Sequence, residues 1–129
     1  MYKGILLDID NTLYRYNPLH ESATKALFTY VSGKFNKPES EIKYAFDLAK
    51  IRIKQNTPET AASHNRLLYI QNFCEIMGID SLEYSLDLYN KYWDKFLESL
   101  TLSLGSQQFF SRYGHLPICL VTALTAHIQ

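Results

Sequence analysis

The chain has 129 residues, of which 47% are hydrophobic and 20% are charged, a composition typical of one globular domain and not of a disordered chain. Its thirteen basic residues balance thirteen acidic ones, so no basic excess indicates binding to nucleic acid or to an anionic membrane. No apolar run approaches the length that a membrane-spanning helix needs, so the sequence predicts no such helix.

The first predicted element is a short apolar strand over residues 4–9, within the segment ILLDIDNTLY of residues 5–14. Strands as apolar as this one are typical of parallel sheets that are covered on both faces. Asp8 interrupts the apolar run, and Asp10 and the polar pair Asn11-Thr12 follow it. The N-terminus runs directly into this strand and shows no signal peptide, so we expect a cytoplasmic protein.

Apolar residues at helical spacing predict a series of four helices after this strand. They cover residues of about 20–35, 39–54, 60–77 and 81–100. Gly78 is well placed to end the third helix, and Asp80 begins a segment that resembles a capping box for the fourth. We expect these helices to pack against one another as a small antiparallel bundle.

A further short helix is predicted over about residues 105–113, and a second apolar strand over residues 116–121 ends at Thr122. A strand–helix–strand crossover gives parallel strands, so the pattern predicts an α/β fold with a helical insertion after the first strand. Cys74 and Cys119 lie far apart in no metal-binding pattern, and we expect both to be reduced, buried thiols.

The two aspartates at the end of the first strand indicate a functional site. Ligands of open parallel sheets bind at the carboxyl ends of the strands, and side-chain alternation lets Asp8 and Asp10 share a side. Two neighbouring carboxylates repel each other, and a magnesium ion, which typically takes one or two carboxylates, would offset that repulsion. The alternative is that both aspartates only cap a turn, where Asp is common.

The segment GILLDIDNTLY resembles the first signature of the haloacid dehalogenase-like (HAD) hydrolase superfamily, an apolar strand followed by Asp-x-Asp-x-Thr. The resemblance implies that Asp8 is a nucleophile that forms an aspartyl-phosphate and that Asp10 is the general acid and base. It also implies that the Asp8 side chain and the Asp10 backbone carbonyl bind Mg²⁺. True dehalogenases of the family lack the second aspartate, so Asp10 favours phosphoryl transfer over carbon–halogen cleavage.

The segment ICLVT resembles the second family motif, an apolar strand that ends in Ser or Thr. The resemblance implies that the Thr122 hydroxyl and the Ala123 backbone N–H bind the substrate phosphate, before a helix that begins near residue 124. Asn11, in the first motif, is a further predicted phosphate contact. Arg15 and Arg66 are candidate substrate contacts, although solvated surface positions are the alternative for both.

The resemblance further implies an incomplete Rossmann-like core over residues 1–18 and 101–129 and a helical cap over residues 19–100. Caps of this kind close over the site, exclude water and select the substrate. The family's later lysine and acidic motif have no counterpart after Thr122, so we expect the chain to be truncated. Two strands make a marginal sheet with an open edge and an uncovered apolar face, which a partner or a second copy would cover.

The sequence therefore predicts a magnesium-dependent phosphatase that acts on a small phosphorylated metabolite, with neither nucleic acid nor membrane as a partner. The first alternative is a non-catalytic HAD-like fragment or binding module that keeps the first half of the fold. The second alternative is a haloacid dehalogenase, which Asp10 disfavours.

Overall fold

The computed structural model describes residues 3–122 and places a helical region between two short strands. In chain order the elements are β1 (Ile5–Asp8), α1 (Tyr16–Phe35), α2 (Glu39–Asn56), a 3₁₀ turn (Ala61–His64), α3 (Arg66–Met77), α4 (Ser81–Glu98), α5 (Leu104–Tyr113) and β2 (Ile118–Val121). This order agrees with the predicted α/β class. The division into a core and a cap at residues 18/19 and 100/101 stays a prediction.

The two strands pair in parallel, as the strand–helix–strand pattern predicted. Ile5 lies opposite Ile118, and Asp8 lies opposite Val121. This register brings the carboxyl ends of β1 and β2 to the same edge of the sheet. Asp8 and Thr122, which are separated by more than a hundred residues of sequence, therefore become neighbours at that edge.

Parallel sheets of such apolar strands are usually covered on both faces, but in residues 3–122 one face of this sheet is uncovered. Leu6 in β1 is 77% exposed and Val121 in β2 is 51% exposed, because no described element packs on the face of the sheet that they share. Cys119 is exposed for the same reason, which corrects its predicted burial, whereas Cys74 is buried and both thiols are free. The expected uncovered apolar face is confirmed.

The helices α1 to α4 form a closed series of contacts that matches the predicted bundle. Helix α1 packs on α4, α4 on α3, α3 on α2, and α2 on α1. The largest fully buried side chains of this bundle include Leu27, Ile42, Phe73, Leu88, Tyr92 and Phe96. Burial of these apolar side chains from four different helices is the main force that holds the bundle together. Among residues 3–122, no helix combines the length and the apolar character that crossing a membrane requires.

Local capping explains where the helices begin and end. The Asp80 carboxylate accepts hydrogen bonds from two backbone N–H groups of the first turn of α4, and Gly78 ends α3 with a positive φ of 68°. The predicted continuous helix over about residues 60–77 is instead interrupted. The Asn65 side chain accepts from the N–H groups of Leu67 and Leu68 and starts α3 anew, which places Arg66 at its first position.

Helix α1 begins at Tyr16, earlier than the predicted start near residue 20. The Asn11 side-chain oxygen accepts a hydrogen bond of 3.0 Å from the Tyr16 backbone N–H. That bond satisfies one of the N–H groups that a helix leaves unpaired at its first turn. The loop after β1 and the start of α1 are thereby joined by a contact that apolar spacing alone did not indicate.

Candidate active site

A tight turn after β1 presents the two aspartates to one side. The backbone N–H groups of Thr12 and Leu13 both donate to the Ile9 carbonyl, at 3.2 Å and 2.9 Å. Asn11 adopts the left-handed region with φ of 59°, which Asn tolerates better than most residues. Ile9 is buried in the core, whereas Asp8 and Asp10 both line a cavity, as the predicted alternation of side chains requires.

Each aspartate is held by one hydroxyl donor from the same turn. The Thr12 hydroxyl donates to Asp8 Oδ2 at 2.6 Å, and the Tyr14 hydroxyl donates to Asp10 Oδ1. Burial, reinforced by the hydrogen bond to Asp10, raises the pKa of Tyr14 above its ordinary value, so its phenol is a neutral donor at pH 7. These bonds engage one carboxylate oxygen of each aspartate, Asp8 Oδ2 and Asp10 Oδ1.

The cavity has a volume of about 430 Å³ and takes its walls from both the strand ends and the helices. It is lined by Asp8, Asp10, Asn11, Tyr16, His20, Lys50, Lys54, His64, Arg66, Tyr69, Trp93 and Thr122. A volume of this size suits a small metabolite. The structure thus brings together, at one cavity, five of the residues that the sequence singled out, namely Asp8, Asp10, Asn11, Arg66 and Thr122.

The other two predicted contacts are not placed at this cavity. Arg15 is exposed at the start of α1 and does not line the cavity, so the solvated alternative describes its position here. Ala123 lies outside the described residues. Asn11 lines the cavity, but its side-chain oxygen accepts a hydrogen bond from the backbone of α1. Asn11 therefore has a structural role at the start of that helix.

Arg66 is 9% exposed, so the alternative of a solvated helix surface is wrong for this residue. Its guanidinium donates to the Tyr16 hydroxyl and lies over the rings of Tyr69 and Tyr92, at 5.1 Å and 5.5 Å from their centroids. Its Nε has no hydrogen-bond partner among residues 3–122. Aromatic groups therefore hold the cation in place without a neighbouring carboxylate to neutralise it.

His20 is a neutral group in the same cavity. Burial, with the added charges of Arg66 and Lys50, lowers the pKa of His20 to about 4. Its Nδ1 lies 2.7 Å from the Tyr92 hydroxyl, and its ring stacks on Tyr16 with centroids 5.5 Å apart. At neutral pH the imidazole therefore contributes hydrogen bonding and packing but no charge.

Lys50, Lys54 and His20 are cavity residues that sequence reasoning missed. Lys50 and Lys54 are four residues apart in α2 and so share a face of the helix, a spacing that was visible in the sequence. Pairs of lysines at this spacing are common on solvated faces. The orientation of that face toward the aspartates follows only from the packing of α2 in the bundle.

The donors present are compatible with the predicted magnesium ion. No group of three or more His, Cys, Asp or Glu side chains that could hold a metal occurs among residues 3–122. Magnesium, however, commonly takes only one or two carboxylates and completes its octahedron with water and substrate phosphate. Asp8 and Asp10, which both line the cavity, fit a magnesium ion that is shared with the substrate.

Comparison with known proteins gives one informative relative. A curated protein of Halopiger xanaduensis (strain DSM 18323 / JCM 14033 / SH-6), named ribulose-1,5-bisphosphate 5-phosphatase, is 28% identical over 141 aligned positions, which include the whole of this chain. The chain spans 56% of the length of that relative. No protein-family model matches the chain, and no solved structure matches it significantly. The HAD-like family therefore stays a prediction, while similarity to a protein named as a phosphatase is a finding.

Proposed function

We propose that this chain carries the nucleophile and acid–base pair of a magnesium-dependent phosphatase that acts on a small phosphorylated metabolite. The observation that carries the proposal is the shared cavity of Asp8, Asp10 and Thr122, with a buried cation, Arg66, in its wall. The relative's printed name supports a sugar phosphate as the substrate class. The resemblance of both strand-end segments to HAD-like motifs gives the residues their roles.

The reaction begins when a carboxylate oxygen of Asp8 attacks the phosphorus of the substrate. The bond from phosphorus to the leaving oxygen breaks, and Asp10 donates its proton to that oxygen. A water molecule then attacks the aspartyl-phosphate at phosphorus, and Asp10 takes a proton from this water. The bond between Asp8 and phosphorus breaks, which releases inorganic phosphate and restores the Asp8 carboxylate.

The surrounding residues orient and balance these two groups. The hydroxyls of Thr12 and Tyr14 keep the carboxylates of Asp8 and Asp10 in one orientation. Thr122 lines the same cavity, and we propose that its hydroxyl donates to a phosphate oxygen. Magnesium, held by the Asp8 side chain and the Asp10 backbone carbonyl, would supply positive charge against the repulsion between carboxylate and phosphate. Arg66 adds a second, protein-borne positive charge to the same cavity.

The test is a magnesium-dependent hydrolysis assay with a generic aryl phosphate. We expect Asp8→Asn to lower the rate by at least about a thousandfold, because it removes the nucleophile. Asp94→Asn, which changes an exposed aspartate of α4 that does not line the cavity, is the matched control and should retain activity.

Three results would redirect the proposal. Absence of hydrolysis at every magnesium concentration would support the non-catalytic module. Equal activity of Asp8→Asn and the unchanged chain would remove Asp8 from the chemistry. Release of halide from a haloacid, without phosphate hydrolysis, would support the dehalogenase.

A further inference from the structure

Three cationic side chains line the wall of the cavity that the helices provide. Lys50 and Lys54 come from α2, and Arg66 begins α3. Like charges four residues apart on one helix face repel each other and destabilise the helix slightly. A third cation on the neighbouring helix increases that repulsion. An anion bound between the three cations would lower it.

Asp8 and Asp10 line the same cavity, but among residues 3–122 no carboxylate forms an ion pair with any of the three cations. The carboxylates that form ion pairs there bind Lys34, Lys37 and Lys95 instead. Burial and the charge of Arg66 lower the pKa of Lys50, although the nearby Asp47 acts in the opposite direction. The three cavity cations therefore repel one another without a close counter-ion.

Arg66 shows the same shortage in a buried setting. The groups around its guanidinium are Tyr16, Tyr69 and Tyr92, and burial raises the pKa of Tyr69 and Tyr92, so these phenols are uncharged at pH 7. A buried cation that lacks an anionic partner is costly, and its Nε has no hydrogen-bond partner in residues 3–122. A guanidinium suits a phosphate, because its N–H groups match two phosphate oxygens at once.

The net charge of the cavity permits a second bound anionic group. Its lining carries three cations and two carboxylates, with a neutral His20. A divalent magnesium ion at the carboxylates raises the total to about plus three, and one phosphate dianion lowers it to about plus one. A second phosphate brings the total to about zero as a monoanion or to about minus one as a dianion, so the lining can accommodate it without a large excess of charge.

We propose that Lys50, Lys54 and Arg66 bind a second phosphate group of the substrate, so that the cavity takes a small metabolite with phosphates at both ends. The proposal rests on the proposed function, which places the reacting phosphate at Asp8. The cavity of about 430 Å³ has room for a short chain between the two phosphates. In this arrangement the helices select the substrate, and the strand ends carry out the chemistry.

The experiment measures binding, so that it does not depend on turnover. The full chain carrying Asp8→Asn is titrated calorimetrically, with magnesium present, with linear alkanediol bisphosphates of several lengths and with alkyl monophosphates of the same lengths. The readout is the ratio of the monophosphate Kd to the bisphosphate Kd. We expect a ratio of about ten to a hundred at the best length, as for the gain of charge-assisted hydrogen bonds.

Variants locate the second site. Adding Lys50→Gln and Lys54→Gln to Asp8→Asn should lower the ratio to about one. Adding Arg66→Lys instead keeps a positive charge in the buried position, and it should lower the ratio about tenfold. Lys43→Gln removes an exposed lysine of the same helix that does not line the cavity, and it should leave the ratio unchanged.

Three outcomes overturn the proposal. A ratio near one at every length, or an equal loss of ratio in Lys43→Gln, would show that no second phosphate site exists at these residues. A carboxyalkyl phosphate that binds as tightly as the bisphosphate would overturn the assignment to phosphate. If the unchanged chain hydrolyses an aryl phosphate while the ratio is near one, the second site fails and the phosphatase function stands. If the ratio is high and no hydrolysis occurs, the second phosphate site stands and the phosphatase function fails.

Discussion

At the scale of single residues, the candidate site depends on hydroxyl groups that hold the two aspartates. Tyr14 is 8% exposed, donates to Asp10 Oδ1 and packs edge-on against Phe96 with ring centroids 6.0 Å apart. Its ring belongs to the core and its hydroxyl belongs to the site. The same side chain therefore links the packing of α4 to the position of the proposed general acid.

Tyr14→Phe removes the hydroxyl and keeps the ring. We expect the aryl phosphatase rate to fall about tenfold, because a hydrogen bond of this kind contributes about 1 kcal/mol and Asp10 loses its fixed orientation. The thermal midpoint should change little, since the buried ring remains. Tyr44→Phe, at a tyrosine that is 70% exposed, is the control for loss of a hydroxyl. An unchanged rate in Tyr14→Phe would show that this bond has no part in the chemistry.

His20 makes the stability of the protein depend on pH. Its pKa is about 4 in the folded chain, against 6.5 ordinarily, so only the unfolded chain binds the proton between these values. Stability should therefore fall as the pH falls from about 6.5 towards 4, by about 1 to 2 kcal/mol after allowance for screening of a half-exposed ring.

Urea unfolding at about pH 7 and about pH 4.5 measures this effect. Because other groups also titrate in this range, the prediction concerns a difference between variants. His20→Gln should lose less stability on acidification than the unchanged chain, whereas His115→Gln, at an exposed histidine, should not differ from it. Equal acid sensitivity of the unchanged chain and His20→Gln would contradict the assignment.

At the scale of elements, helix α5 supports the turn that carries the aspartates. The Ser106 hydroxyl is buried and donates to the Leu13 carbonyl at 2.9 Å, and the Ser103 N–H donates to the same carbonyl at 3.0 Å. Ser103 also caps α5 through its side chain, which accepts from the Ser106 N–H. The start of α5 therefore fixes the far end of the turn, about a hundred residues away along the chain.

Ser106→Ala should destabilise the protein by about 1 kcal/mol, because the Leu13 carbonyl loses one of its two donors. The aryl phosphatase activity should fall with it, since the turn between Asp8 and Leu13 becomes less firmly held. Chemical denaturation measures the first effect and initial rates the second. Ser111→Ala, at an exposed serine of the same helix, is the control, and an equal loss in both variants would contradict the role given to Ser106.

At the scale of the whole molecule, the exposed face of the two-stranded sheet is the feature that most needs a partner. Leu6 is 77% exposed and Val121 is 51% exposed, and the register places both on the same face, in adjacent strands. A continuous apolar surface with open strand edges favours association. The predicted covering of this face by a partner or a second copy stays a prediction.

Leu6→Lys tests whether the face binds a second copy. We expect the unchanged chain to associate as its concentration rises, and Leu6→Lys to weaken that association at least about tenfold, because it would bury an unpaired charge. Sedimentation velocity over a range of concentrations measures the effect. Leu82→Lys, at a leucine of α4 that is 98% exposed, is the control. Association that both variants weaken equally would place the contact elsewhere.

The sequence by itself determined the helices, the strands and the strand-end motif, because each of these depends on residues that are neighbours in the chain. A period of about 3.6 residues located the helices, and short continuous apolar runs located the strands. The spacing of Asp8 and Asp10 after the first apolar run indicated a strand-end site. The interruption at Asn65 was missed, since a side-chain cap changes the backbone without changing the apolar period. The early start of α1 was missed for the same reason.

The tertiary structure alone decided which helix residues face the aspartates. From the sequence, Arg66 could equally be a surface residue, and Lys50 and Lys54 could be a solvated pair. The packing of α2, α3 and α4 places all three at one cavity. The rotation of a helix about its axis depends on contacts between residues far apart in the chain, which no local period records. One short segment of the sequence was therefore enough to predict the chemistry. The residues that are proposed to select the substrate could be identified only from the fold.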